Sequence, residues 1–213
     1  MSPRVSPFGD RAVLIEWDVS GYSEAASARA LGLAAHLRDG GHFREVVPGY
    51  ASVMAEFDPV RLDLEDAVAL LNRELPGAPT SAPEGKRVEL PVRYGDAHGR
   101  DLPNICRASG LSEAEVIAIH SGRDYRVCMM GFIPGFAFLS EVDARLAHPR
   151  HATPRVEVPA GSVGIAGWQT GIYGLDSPGG WQIIGRTDVA MFDPRRDEPF
   201  IAEAGDTIRF VPV

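Results

Sequence analysis

The chain has 213 residues and a mass of 22.9 kDa, enough to bury a sizeable core without disulfides or metal. Its 45% hydrophobic and 23% charged residues are those of an ordinary globular protein, and no apolar run approaches the length of a membrane span. A net charge of −8, with only isolated basic pairs such as Lys86-Arg87 and Arg195-Arg196, repels phosphate backbones and argues against nucleic acid as a partner.

The N-terminus places Gly9-Asp10-Arg11 ahead of a short apolar run, which is not the order of a secretory signal. The expectation is a cytoplasmic protein in which Cys106 and Cys128 stay reduced. Ala12 to Trp17 reads as a strand. Tyr22 to Arg38 reads as a helix, with Ala26, Ala30, Leu33 and Leu37 on one face, Ser23 as its cap and Gly40-Gly41 at its end. Phe43–Val47 and Ser52–Phe57, joined through Pro48-Gly49, suggest a hairpin. Asp63 and Asp66 open a second helix in which Leu64, Val68, Leu71 and Leu75 form the stripe, closed by Pro76-Gly77. Arg87–Val92 is then expected to complete a β-α-β-β-α-β pattern of the ferredoxin-like type. The boundary between domains is placed at residues 85/86, giving an α+β domain over 1–85 and a second domain over 86–213.

Ser112 to Glu115 forms a capping box for a helix that runs to His120-Ser121, where His120 would complement the helix dipole. From Tyr125 onward, short apolar runs punctuated by Gly and Pro replace the helical periodicity, and this texture suggests a small β-barrel or sandwich.

Catalytic signatures are scarce. Gly85-Lys86 lacks the spacing of a phosphate-binding loop, and the glycines of residues 161–167 fit strand bends better than a nucleophile elbow or a dinucleotide fingerprint. His148 and His151 flank Pro149 and have no nearby Cys or carboxylate pair to complete a zinc set, so no metal site is expected. The turn-forming stretch Gly131-Phe132-Ile133-Pro134-Gly135-Phe136 either bends a barrel or cradles a ligand. Arg150 and Arg155 each follow a proline; they suit capture of a carboxylate or phosphate, and equally suit surface ion pairs. Gln169, Thr170, Tyr173, Ser177, Gly179, Gly180, Trp181 and Gln182 set amides and hydroxyls beside open backbone, as in a pocket, while core and turn roles fit Gly180 and Trp181 nearly as well.

The segments GFIPGFAFL (131–139), RLAHPR (145–150) and ATPRVEVPAGSVGIAGWQTGIYGLDSPGGWQIIGRT (152–187), extended by FGDRAVLIEW, VPGYASVMAEFDP and AGDTIRFVPV, resemble the B-subunit family of bacterial 5-oxoprolinases. That family is also labelled allophanate hydrolase subunit 1 or kinase inhibitor. The resemblance covers nearly the whole chain. It implies a ferredoxin-like domain followed by a cyclophilin-like β-barrel, similar to part of the carboxyltransferase module of urea carboxylase. It also implies partners: a C-subunit with a related barrel and a third, lactam-binding subunit, together opening 5-oxoproline to glutamate with ATP and Mg2+. Other readings of the same resemblance are hydrolysis of allophanate or another urea-derived amide, and inhibition of a sensor histidine kinase. A free-standing prolyl isomerase is suggested by the barrel type alone. The chain lacks a Ser-Ser-Lys amidase pattern and a Met-Lys-Met biotin attachment site.

Carried over position by position, the resemblance makes Arg150, Arg155, Gln169, Tyr173 and Arg186 the catalytic candidates. In that reading the three arginines bind a carboxylate or phosphate, and Gln169 with Tyr173 hydrogen-bonds the amide. Gly131, Phe132, Pro134, Gly135, Phe136, Ser177, Gly179, Gly180 and Trp181 are the expected substrate-binding positions. Three positions depart from the usual family pattern: Phe138 stands where Tyr is usual, Gly174 where Pro is usual, and Trp168 where a small residue is common. Gly174 would loosen its loop and Trp168 would narrow or fill a pocket.

Overall fold

The structure is a computed structural model that describes residues 3–213. It divides into two compact units, residues 3–84 and 85–213.

In the first unit, β1 (Arg4–Pro7), β2 (Ala12–Glu16), β3 (Glu45–Pro48) and β4 (Ser52–Glu56) form an antiparallel sheet in the order β1-β2-β4-β3. Val13 and Ile15 of β2 face Ala55 and Val53 of β4, and all four are fully buried. Two helices cover the sheet face, α1 (Glu24–Gly40) and α2 (Leu64–Glu74). Helix α1 begins at Ser23, whose hydroxyl accepts from Ala26 N–H, and stops at Gly41 in the left-handed region (φ 67°). Ala26, Ala30, Leu33 and Leu37 are all buried, at the helical spacing. In α2 it is Ala67, Leu70 and Leu71 that are buried, while Leu64, Val68 and Leu75 pack at the edge of the core.

The expected completion of this sheet by Arg87–Val92 does not occur. The edge beside β2 is taken by β1, which closes a hairpin with β2 through Gly9 (φ 71°). Arg87–Tyr94 is instead β5 of the second unit, parallel to β13 (Thr207–Pro212), with Leu90 and Val92 fully buried there.

The second unit is a closed seven-stranded barrel in the order β10-β7-β6-β13-β5-β12-β9. Its other strands are β6 (Asp124–Met130), β7 (Ala137–Glu141), β9 (Ser162–Ala166), β10 (Gln169–Ile172) and β12 (Gln182–Arg186). A separate two-stranded sheet pairs β8 (Arg155–Val158) with β11 (Ser177–Gly179). Closure removes exposed barrel edges. The barrel core contains Leu90, Tyr125, Leu139, Ile165, Ile184 and Phe210.

Two helices precede β6: α3 (Leu102–Ser109) and α4 (Glu113–Ser121). Helix α4 carries the full capping box, Ser112 with Glu115. Helix α3 was not anticipated, although Pro103 in its first turn and Gly110 (φ 73°) after its last are ordinary boundary signals. His120 does not complement a dipole. It is fully buried and stacked on Phe210, with Nδ1 2.8 Å from Tyr94 Oη and Nε2 2.9 Å from Thr170 Oγ1. Burial pushes its pKa down to about 3, so the ring is neutral.

Candidate functional site

A cavity of about 630 Å³ lies on the second unit. Its floor is aromatic: Phe136 and Tyr173 are 1% exposed, and Trp181 is 7% exposed. Phe136 meets Phe138, Tyr173 and Trp181 at ring-centroid distances of 4.5, 4.9 and 5.4 Å. These edge-on and tilted contacts lock the rings against each other. Pro149, Arg150 and Pro154 also line the cavity, and Pro178 with Gly179 lies at the end of β11.

The loop at 131–136 is a tight turn, with Phe132 and Gly135 both at positive φ (71° and 75°). Phe136 N–H donates to Ile133 O at 3.1 Å. This geometry buries Phe136 and leaves Phe132 64% exposed at the cavity mouth. Gly174 does not loosen its loop. A Cβ there would overlap the Pro134 carbonyl oxygen, so Gly174 permits close approach of the two segments. Gly179 is needed for a similar reason, since a Cβ would overlap the Tyr173 hydroxyl. Burial raises the Tyr173 phenol above its ordinary pKa, opposed by a hydrogen bond from the Trp181 backbone and by the charges of Arg150 and Arg155. The phenol is therefore protonated at neutral pH.

Among the expected positions, Phe132, Phe136, Arg150, Gln169, Tyr173, Gly179, Gly180 and Trp181 line the cavity. Gly131, Pro134, Gly135, Ser177, Arg155 and Arg186 are not in its lining. Arg155 is committed elsewhere: its Nη2 donates to Asp101 Oδ1 at 2.6 Å. Asp101 is 3% exposed and also accepts from Ile183 N–H at 2.7 Å, so the arginine neutralises a buried carboxylate. Arg186 donates from Nε to Ala160 O at 3.0 Å, at the far end of β12. The three arginines therefore do not converge on one ligand group. Ser177 Oγ is buried without a partner and holds no position on the cavity surface.

Trp168 neither narrows nor fills the cavity, while Phe138 lines it. Ala166 and Gly167 also line it; they come from the glycine-rich stretch that forms β9 and its turn. Among the described residues, the Arg150 guanidinium and the Gln169 carboxamide have no hydrogen-bond or ion-pair partner. An aromatic floor with one free guanidinium and one free carboxamide suits a small ligand that presents a flat or cyclic apolar body, an anionic group and an amide. No group of three or more His, Cys, Asp or Glu among the described residues is arranged to hold a metal.

The family model for the carboxyltransferase domain, subdomain C and D, matches residues 3–202, across both units. The 5-oxoprolinase B-subunit of Escherichia coli O157:H7 is 42% identical over 205 residues, covering 96% of this chain and 93% of that protein. The chain belongs to the 5-oxoprolinase B-subunit family. Among solved structures similar to this member of the 5-oxoprolinase B-subunit family, TTHA0988 superposes with a TM-score of 0.82 at 42% identity. The match covers 95% of this chain and 40% of TTHA0988, so the chain spans well under half of that protein's length. The K. lactis urea amidolyase superposes with a TM-score of 0.82 at 20% identity over 99% of this chain and 15% of that one, which shows a shared fold.

Proposed function

We propose that this chain is the B-subunit of an ATP-dependent 5-oxoprolinase, which converts 5-oxo-L-proline, ATP and water to glutamate, ADP and phosphate. The observation that carries this reading is the 42% identity to the Escherichia coli 5-oxoprolinase B-subunit over nearly the whole length of both chains. A subunit name implies an assembly, and the partners in this reading are a C-subunit and a lactam-binding subunit. Within it, the barrel is cyclophilin-like, and the N-terminal unit is a variant of the ferredoxin-like pattern in which β1 takes the place of the missing last strand.

The chemistry fits the cavity. A lactam carbonyl is a poor electrophile; transfer of a phosphoryl group from ATP to its oxygen makes the ring carbon reactive and supplies a leaving group. The protein's contribution is positioning and charge stabilisation. In this reading, Arg150 pairs with the lactam's carboxylate, Gln169 hydrogen-bonds its amide, and the rings of Phe136, Phe138 and Trp181 cover the methylene face and keep bulk water away. Tyr173, protonated, donates or accepts a hydrogen bond at the floor. Mg2+ would arrive with the nucleotide's phosphates.

Co-expression with the two partner subunits, followed by an ATP hydrolysis assay with and without 5-oxoproline, tests the reading. Stimulation that requires all three chains is the expected result. An assembled complex that hydrolyses ATP no faster with 5-oxoproline would shift the substrate to another amide.

A further inference from the structure

Beside the aromatic cavity lies a second, more polar one of about 430 Å³, and Arg150 lines both. Three separate parts of the chain supply its polar wall: Asn104 and Arg107 from α3, His148, Arg150 and His151 from the segment before β8, and Gln182 from β12. These parts are tied together. Gln182 Nε2 donates to Pro149 O at 3.0 Å, and Gln182 Oε1 accepts from Asn104 Nδ2 at 3.0 Å. The wall is thus held in place by a glutamine that is 3% exposed.

No carboxylate lines this cavity, in a chain with 29 acidic residues against 21 Lys and Arg. Elsewhere the excess acid neutralises arginines: Arg87, Arg145, Arg155 and Arg195 each donate to a carboxylate at 3.0 Å or less. Arg107 and Arg150 have no such partner among the described residues. His151 Nε2 is buried 3.3 Å from Asp101 Oδ1, outside hydrogen-bond geometry.

Two unpaired guanidiniums in a concave wall without carboxylates focus a positive potential. One bidentate guanidinium already satisfies both oxygens of a carboxylate; two guanidiniums with amide donors match the three or more acceptor oxygens of a phosphoryl group. We propose that this second cavity is a phosphoryl-binding site, contiguous with the aromatic cavity through Arg150. The source of the group rests on the functional reading above, either the nucleotide or free phosphate released from the reaction. The anion chemistry itself stands on the cavity.

The test is calorimetric titration of the full chain, alone, with inorganic phosphate and with ADP at constant ionic strength. The variants are Arg107→Ala and, as a control, Arg195→Ala, whose arginine is exposed and paired with Asp193. Saturable binding that weakens about tenfold or more in Arg107→Ala and is unchanged in Arg195→Ala is the expected result. Tighter binding of ADP with the same Arg107 dependence assigns the site to a nucleotide phosphate; equal binding of the two assigns it to free phosphate. No saturable binding of either anion, or binding that Arg107→Ala leaves intact, overturns the site. Arg107 is exposed, and a urea titration of the variant verifies that its fold is unchanged. Neither lactam nor partner protein is present in the titration, so its failure removes the phosphoryl site without touching the three-chain ATP assay.

Discussion

Arg150 and Arg155 both follow a proline, yet they occupy opposite electrostatic situations. Asp101 decides between them. It is buried at the start of α3, 54 residues before Arg155, and it holds both Arg155 Nη2 and Ile183 N–H. Removing one member of a buried ion pair leaves the other charge desolvated and costs about 3–5 kcal/mol. The Arg155 side chain is 23% exposed, so the expected loss for Asp101→Asn is nearer about 2–3 kcal/mol, read from urea unfolding. The corresponding change at Arg150, which has no internal partner among the described residues, should leave stability within about 0.5 kcal/mol of the parent. The sequence pattern made these arginines equivalent because a local motif carries no information about a carboxylate so distant in the chain. Gln169, Tyr173 and Trp181 were legible from composition, since amides and aromatics beside glycine mark pocket walls; Pro149, Pro154 and Ala166 carry no such signal.

At the scale of elements, patterns that depend on local periodicity were readable, and patterns that depend on neighbours were not. The buried stripe of α1 and the β3–β4 hairpin follow from spacing and turn residues. Nothing in the alternation of Arg87–Tyr94 says which sheet it joins, and its parallel pairing with β13 at the far end of the chain places it in the barrel. His120 shows the same dependence on tertiary context: α4 delivers it into a polar cluster with Tyr94 of β5 and Thr170 of β10, beneath Phe210 of β13. Its folded pKa, about 3, lies below the ordinary value near 6.5, so the unfolded chain binds the extra proton between these limits. The contribution is fully present above about pH 6.5 and is lost as pH falls, at about 1.4 kcal/mol per pH unit until the folded pKa is reached. Asp143 and Asp193, held down to about 2 by hydrogen bonds from Arg145 and Arg195, act only at lower pH. Between about pH 6.5 and 4.5 the part of the fall in unfolding free energy that a His120 substitution removes reports this ring. Urea titrations of the parent and of His120→Asn across that window should show the slope in the first and its reduction in the second.

For the whole molecule, the family match extends over both units, whereas both cavities described above are lined by residues of the second. No helix among the described residues is long and apolar enough to cross a membrane. The barrel presents an aromatic-floored cavity with a free guanidinium and a free carboxamide, and among the described residues no nucleophile paired with a base lines it. In the proposed function this cavity holds 5-oxoproline through Arg150. The direct measurement is 5-oxoproline-stimulated ATP hydrolysis by the assembled three-chain complex, with the parent chain and with Arg150→Ala. The expected result is that the variant assembles normally and that its KM for 5-oxoproline rises about tenfold or more, the loss of one charge-assisted hydrogen bond. An Arg150→Ala complex that responds to 5-oxoproline with the parent's KM and rate would contradict it.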